Sequence, residues 1–169
     1  FLAKVTGPAY GNIPLRRQQY AFADDSQKSL GIAKSCIIGK LFNARAVIER
    51  ALRDHALRLD TDTLETVSGQ LQIAMQQAAD SSDKDILRGI EGEAAARYFS
   101  VFDQLILQQK PVFSFDTRNR RPPTDPVNAL MSFVYALLGS LCCSALETVG
   151  LDPYAGMLHT DRPGRFSLA

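Results

Sequence analysis

The chain has 169 residues, 46% of them apolar and 22% charged, which is ordinary for one folded domain with its own core and argues against a disordered chain. Its formal net charge of +1 provides no global field for nucleic acid, so any such binding must come from local clusters of Arg and Lys. Cys36, Cys142 and Cys143 form an odd set without CxxC spacing, and they read as reduced and buried in a cytoplasmic protein.

Residues 1–7 alternate enough for a terminal strand, and Gly7-Pro8 with Gly11-Asn12 then break the pattern. Without Met, and without a charged n-region ahead of an apolar stretch, this opening carries no secretory signal. Residues 1–10 are therefore expected to be the remnant of a preceding domain and its linker, and 11–169 one helical domain. A helix is predicted over 14–23, then a long one over 27–59, where Ile32, Cys36, Leu41, Ala44, Ile48 and Leu52 form an apolar stripe. Asp62 with Glu65 reads as a capping box opening a helix to about residue 79, and Ser82 with Asp85 as the start of another over 82–108. The run Val112 to Phe115, after Pro111, is the one later patch with strand character.

Asp125 followed by Pro126 marks a helix start, because Pro at the first helical position loses no hydrogen bond, and Gly150 stops that helix. Residues 126–146 hold no charge, which on length raises a membrane span. Asn128, Ser132, Ser140 and Ser144 dilute the segment and no aromatic belt brackets it, so the expectation is a central helix over 126–149, buried on all sides, with no membrane. Pro153, Gly156, Pro163 and Gly164 keep the remainder loop-rich. The predicted class is all-α, a helical bundle built around that central helix.

Two residues stand out chemically. Leu87, Glu91, Ala95, Tyr98 and Phe102 recur at steps of three or four, so Glu91 is expected to share an apolar face, where a carboxylate is costly unless a cation, a metal or strong donors receive it. Gly89 and Gly92 beside it each weaken a helix by about 1 kcal/mol relative to Ala, which suggests close approach of another group. The plainer reading is a Glu at the edge of a buried face, reaching water, and on pattern alone it is the commoner one. His159 lies in a loop entered by the Asp152-Pro153-Tyr154 turn; an imidazole there can ligate a divalent metal or act as a base, although a lone His is more often a hydrogen-bonded structural residue. His55, among Glu49, Arg50, Arg53, Asp54 and Arg58, belongs to a solvated helix face. Arg118, Arg120 and Arg121, stiffened by Pro122-Pro123 ahead of a helix N-terminus, suit contact with phosphates, or a merely solubilising loop. Tyr98, Phe99, Phe102, Phe113, Phe115, Phe133 and Tyr135 read mostly as core.

Three ordered segments, Leu87-Arg-Gly-Ile-Glu91-Gly-Glu-Ala-Ala-Ala-Arg-Tyr-Phe99, Asn119-Arg-Arg-Pro-Pro-Thr-Asp-Pro-Val-Asn128 and Gly150-Leu-Asp-Pro-Tyr-Ala-Gly-Met-Leu-His159, resemble the helical catalytic domain of the CRISPR spacer-acquisition integrase, the first-numbered Cas protein. The run Ser100-Val-Phe-Asp-Gln-Leu-Ile-Leu-Gln-Gln-Lys110 between the first two looks most like the subtype I-C branch. The resemblance implies a divalent-metal-dependent DNA endonuclease and integrase using Mg²⁺ or Mn²⁺, which joins spacer DNA 3′ ends into the CRISPR repeat by phosphodiester transesterification and cleaves branched DNA. Its metal-ligating Glu falls on Glu91 and its His on His159, while its Asp is expected beyond Ala169, since Asp161 stands too close to the His. A chain ending at Ala169 would then bind metal weakly and catalyse little or nothing. Residues 1–10 would be what remains of the family's N-terminal β domain. The implied partners are spacer-precursor and repeat DNA, a second copy in a homodimer, and a small second Cas protein, with Arg118, Arg120, Arg121, Arg162 and Arg165 along the DNA backbone. A helical adaptor without catalysis, or a DNA-binding regulatory domain, is the alternative that the residues themselves leave open.

Overall fold

The computed structural model describes residues 12–159 and 162–169, and the expected strand over 1–7 lies outside them. The described elements are helices, with no strand among the described residues: α1 is Ile13–Asp24, α2 Ser26–His55, α3 Thr61–Asp80, α4 Lys84–Ser100 and α5 Pro126–Thr148. The all-α class predicted from sequence is what the chain adopts.

Short polar side chains at the start of each helix set these boundaries. The Asn12 carbonyl oxygen accepts from Leu15 N at 3.2 Å, Asp25 Oδ1 from Gln27 N at 3.0 Å and Asp60 Oδ1 from Thr63 N at 3.2 Å. Asp83 Oδ1 accepts from Asp85 N at 2.6 Å, and Asp125 Oδ1 from Asn128 N at 2.8 Å. Asp60 and Asp83 thus replace the expected caps Asp62 and Ser82, because the cap is the residue immediately before the first helical one: Asp60 precedes Thr61 and Asp83 precedes Lys84, whereas Asp62 lies inside α3 and Ser82 one position too early. α4 also ends earlier than expected, at Ser100, where a single 3₁₀ turn over Phe102–Leu105 takes over. α5 ends in a Schellman arrangement: Gly150 N donates to Glu147 O at 3.1 Å, Leu151 N to Leu146 O at 2.9 Å, and Gly150 takes φ +88, which glycine adopts without strain. The apolar patch over 112–115 leaves a turn at Val112 and runs on without regular structure, not as a strand.

The chain divides into two compact units, Ile32–Phe133 and a second made of the residues on either side. In the first, α3 packs against α4, and Leu64, Leu71, Ala78 and Leu87 are fully buried, with Ala94 at 1% exposure. α2 contributes Leu41 and Ile48 to the buried set, and Lys34 Nζ donates to Ala79 O at 2.9 Å, so α2 and α3 run side by side. At the end of α4 and beyond it, Tyr98, Phe99, Phe102 and Phe115 form an aromatic cluster with ring centroids 5.0–5.8 Å apart, in which Phe115 is buried and the other three are half-buried. Phe133 and Tyr135 do not follow the expectation of core rings: they are 60% and 54% exposed.

The largest departure from the sequence reading is α5. It is long and apolar enough to cross a bilayer, with a mean hydropathy of 1.9, yet only 6% of that stretch is buried, so it is not the expected central helix enclosed on all sides. Val127, Asn128 and Cys143 are buried, whereas Leu130, Phe133, Leu137 and Leu141 are exposed. Apolarity along a helix records that it favours cover; it does not record that the same stretch of chain supplies the cover. The cysteines are free, as expected, but only Cys143 is buried and Cys36 is exposed.

The buried interface between α3 and α4 should dominate the stability of its unit. Leu87→Ala is expected to cost about 2–5 kcal/mol through lost burial and a residual cavity, read as a fall in the denaturant midpoint, whereas Leu141→Ala should change it little. Equal effects of the two would contradict the burial pattern.

Candidate active site

Glu91 sits on α4 one turn after the fully buried Leu87 and one before Ala94, so it occupies the flank of the buried face, not its centre. Its side chain is 23% exposed and its Oε1 is ion-paired with Lys40 Nζ of α2, itself 53% exposed. A cation was one of the partners expected for this carboxylate, beside a metal or strong donors, and the chain provides one; Lys40 was not singled out, since it lies 51 residues away and has no local spacing to mark it. Among the described residues the expected close approach at Gly89 and Gly92 is not seen: a Cβ at either would meet nothing within 4 Å.

The basic loop ahead of α5 is fastened by Asn128, which is 0% exposed. Its Nδ2 donates to Thr117 O at 2.8 Å and to Asp125 Oδ2 at 2.6 Å, and its Oδ1 accepts from Arg118 Nη1 at 2.7 Å and Asn119 N at 3.1 Å. Asn119 Oδ1 in turn accepts from Thr124 N at 2.8 Å, closing the loop. Arg118 is thereby committed to this network and half-buried, while Arg120 and Arg121 extend into solvent. Sequence reading took Asn128 as a diluting polar residue on an apolar helix; it is the hub of the loop. The Asn128 side-chain amide first, then its backbone N–H, hold the Asp125 carboxyl below its ordinary value of 3.8.

His159 belongs to the other unit and is half-buried in the segment after α5. That segment is tied to α1. Gln19, 6% exposed, donates from Nε2 to Asp152 O at 2.7 Å and accepts at Oε1 from Asp152 N at 2.8 Å. Arg16 Nε donates to Gly150 O at 3.0 Å. The Tyr20 hydroxyl donates to Asp152 Oδ2 at 2.7 Å, and that bond to a carboxylate is what raises its pKa above the ordinary 10.0. The expected Asp152-Pro153-Tyr154 turn is real, with Tyr154 N donating to Asp152 Oδ1 at 2.8 Å. Further on, Leu168 N donates to Pro153 O at 3.0 Å, and the backbone comes so close that a Cβ on Gly156 would lie 2.6 Å from Ser167 Cβ. Gly156 is therefore required by close approach. Gln19, Arg16 and Tyr20 escaped the sequence reading, since a Gln in a short amphipathic helix carries no signal of what it will bind.

Arg162 and Arg165 are exposed in the same unit. Asp161 lies outside the described residues. Among the described residues no group of three or more His, Cys, Asp or Glu side chains is placed to hold a metal ion. Glu91 and His159 fall in different units, each with its own support, and His55 is exposed on α2 as expected. Chemically, a carboxylate and an imidazole are donors suited to a hard or borderline divalent cation, and the Lys40 ammonium at Glu91 demonstrates that positive charge is accommodated there.

Residues 1–169 match the family model described as "CRISPR associated protein Cas1". The chain is 49% identical over 169 residues to a "CRISPR-associated endonuclease Cas1 1" of Chlorobaculum tepidum, covering 100% of this chain and 49% of that protein. Among solved structures it is similar to a partial Cas6-RT-Cas1–Cas2 complex, with a TM-score of 0.78 at 26% identity over 98% of this chain and 47% of that one. A casposase bound to integration product gives 0.75 at 25% identity, over 99% and 47%. The chain spans about half the length of the curated relatives it matches.

Two outcomes follow for the loop network. Asn128→Ala should cost about 1–3 kcal/mol, by stranding the Thr117, Arg118 and Asn119 groups, and should open residues 117–124 to limited proteolysis; a loop that stays resistant would show that Asn128 is not its anchor. The Asp125 carboxyl is lowered on folding, so its contribution is complete above pH 3.8 and lost as pH falls through the lower folded value. An NMR titration should therefore find the Asn128 amide still protected at pH 4, and loosening well above that would contradict the assignment.

Proposed function

The chain belongs to the Cas1 family of CRISPR-associated proteins, and we propose that it carries part of the active site of a metal-dependent DNA endonuclease and integrase of CRISPR adaptation, of the subtype I-C branch. The observation that carries this reading is the family match over all of residues 1–169, which includes both Glu91 and His159. Further support comes from the casposase with integration product, whose described fold this chain shares at a TM-score of 0.75.

In this reading a DNA 3′-hydroxyl oxygen forms a bond to a backbone phosphorus at the edge of a repeat, the bond from that phosphorus to the leaving 3′-oxygen breaks, and the proton lost by the nucleophile is taken up by the leaving oxygen. Glu91 and His159 would hold a Mg²⁺ or Mn²⁺ ion, whose charge would polarise the phosphate and offset the charge that develops on its oxygens. In support of this reading, Glu91 lies on a helix flank, 23% exposed and next to the buried Leu87, so its carboxylate is accessible. Asn128 and Asp125 keep the basic loop in a fixed shape, so the exposed Arg120 and Arg121 meet phosphates without first having to order their own backbone. Arg162 and Arg165 add guanidinium groups beside the His159 segment. Arg118 serves the loop itself. The partners are DNA, a second copy of the chain and a small second Cas protein, the last in keeping with the Cas1–Cas2 complex among the similar structures.

In the full-length protein, Glu91→Ala and His159→Ala are each expected to lower strand transfer by about 10²-fold or more while duplex binding persists. Arg120→Glu with Arg121→Glu should weaken binding and reduce the salt slope by about 1 per residue. Undiminished strand transfer in both Ala variants would remove the catalytic reading and leave a non-catalytic DNA-binding or adaptor domain.

A further inference from the structure

We propose that Lys40 is a positioning residue that stands in for the divalent cation at Glu91, holding the carboxylate in place until metal arrives and opposing the metal for it. The inference rests on Glu91 being a metal ligand and goes beyond that reading by assigning a role to a residue on a different helix.

Three observations carry it. First, the contact between Lys40 Nζ and Glu91 Oε1 is direct and involves one carboxylate oxygen, so it occupies a position a metal ligand would need. Second, the two partners are unequal in exposure. Glu91 is 23% exposed with Leu87 and Ala94 buried on either side, so its charge is partly desolvated and needs compensation at all times; Lys40 is 53% exposed and can withdraw into water along its four-carbon stem at little cost. Third, the nearby arginines of the same helix are engaged elsewhere, Arg88 with Asp85 and Arg97 with Glu93, so Lys40 is the cation that the described contacts give to Glu91.

The electrostatics then set the sign. An ammonium within ion-pair distance of a carboxylate repels an approaching divalent cation and competes for the same oxygen, so its removal favours the metal-bound state. A lysine that merely stiffened the site would have the opposite effect, because its loss would let Glu91 wander and metal binding would weaken.

The test is Mn²⁺ affinity, measured by isothermal calorimetry and by electron paramagnetic resonance of free Mn²⁺ on the full-length protein without DNA, for wild type, Lys40→Met, Lys40→Gln, Lys40→Arg and Glu91→Gln. Lys40→Met and Lys40→Gln, both at a half-exposed position, are expected to tighten Mn²⁺ by about tenfold, and Lys40→Arg to stay within about twofold of wild type. Weaker or unchanged affinity in the two neutral variants, with binding that still depends on Glu91, overturns the role of Lys40 and leaves the metal site standing. Binding that Glu91→Gln does not alter overturns the metal assignment, and the role of Lys40 with it.

Discussion

Irregular backbone needs partners for its N–H and C=O groups, and in this protein two buried primary amides provide them. An amide side chain offers two donors and an acceptor from one small plane, so one residue can fasten several strands of loop at once. Asn128 does this for the basic loop before α5, bonding to Thr117, Arg118, Asn119 and Asp125. Gln19 does it for the segment after α5, bonding to both the N–H and the carbonyl of Asp152. The basic loop and the His159 segment are therefore each held by an amide projecting from a helix, whereas Glu91 is carried on α4 itself. Loops of this kind keep the exposure that binding requires without the entropy of a free chain.

The same economy explains which arginines can serve a ligand. A guanidinium has five donors and never loses its charge, so it can serve either loop architecture or ligand recognition, and the bonds it makes within the chain decide which. Arg118 gives a donor to Asn128 and Arg16 to Gly150, and both are half-buried. Arg120, Arg121, Arg162 and Arg165 are exposed. A basic cluster seen in sequence thus separates into one member that builds the loop and others that the loop presents.

Helix existence and class were legible in the sequence because they rest on local rules: apolar periodicity for α2, Asp125-Pro126 at the start of α5, and Gly150 at its end. Cap identity was legible only to within a position or two, since several short polar residues compete at each start and Asp60 and Asp83 win over Asp62 and Ser82. What lay beyond reach was everything set by distant pairing. Nothing near Lys40 marks it as the partner of Glu91, nothing near Gln19 marks the Asp152 turn, and nothing around Gly156 announces Ser167. That Glu91 on an apolar face would gain from a cation, a metal or strong donors was legible, because desolvation cost follows from the pattern around it; which of these meets it was not. The candidate residues themselves owed more to three ordered segments resembling one family than to periodicity, which for both Glu91 and His159 favoured a structural role.

α5 defines the limit of composition as a guide to burial. The segment is uncharged over most of its length and the sequence reading enclosed it, yet Leu130, Leu137 and Leu141 face outward. A continuous apolar face of this kind is unfavourable in water at about 25 cal/mol per Å² of exposed apolar surface. The driving force the sequence announced therefore exists, and within the described residues it is only partly met, at Val127 and Cys143. The buried Val127 and Asn128, in the first turn of α5, are the residues that position the basic loop, so the loop's geometry rests on that turn and not on the exposed apolar residues farther along the helix.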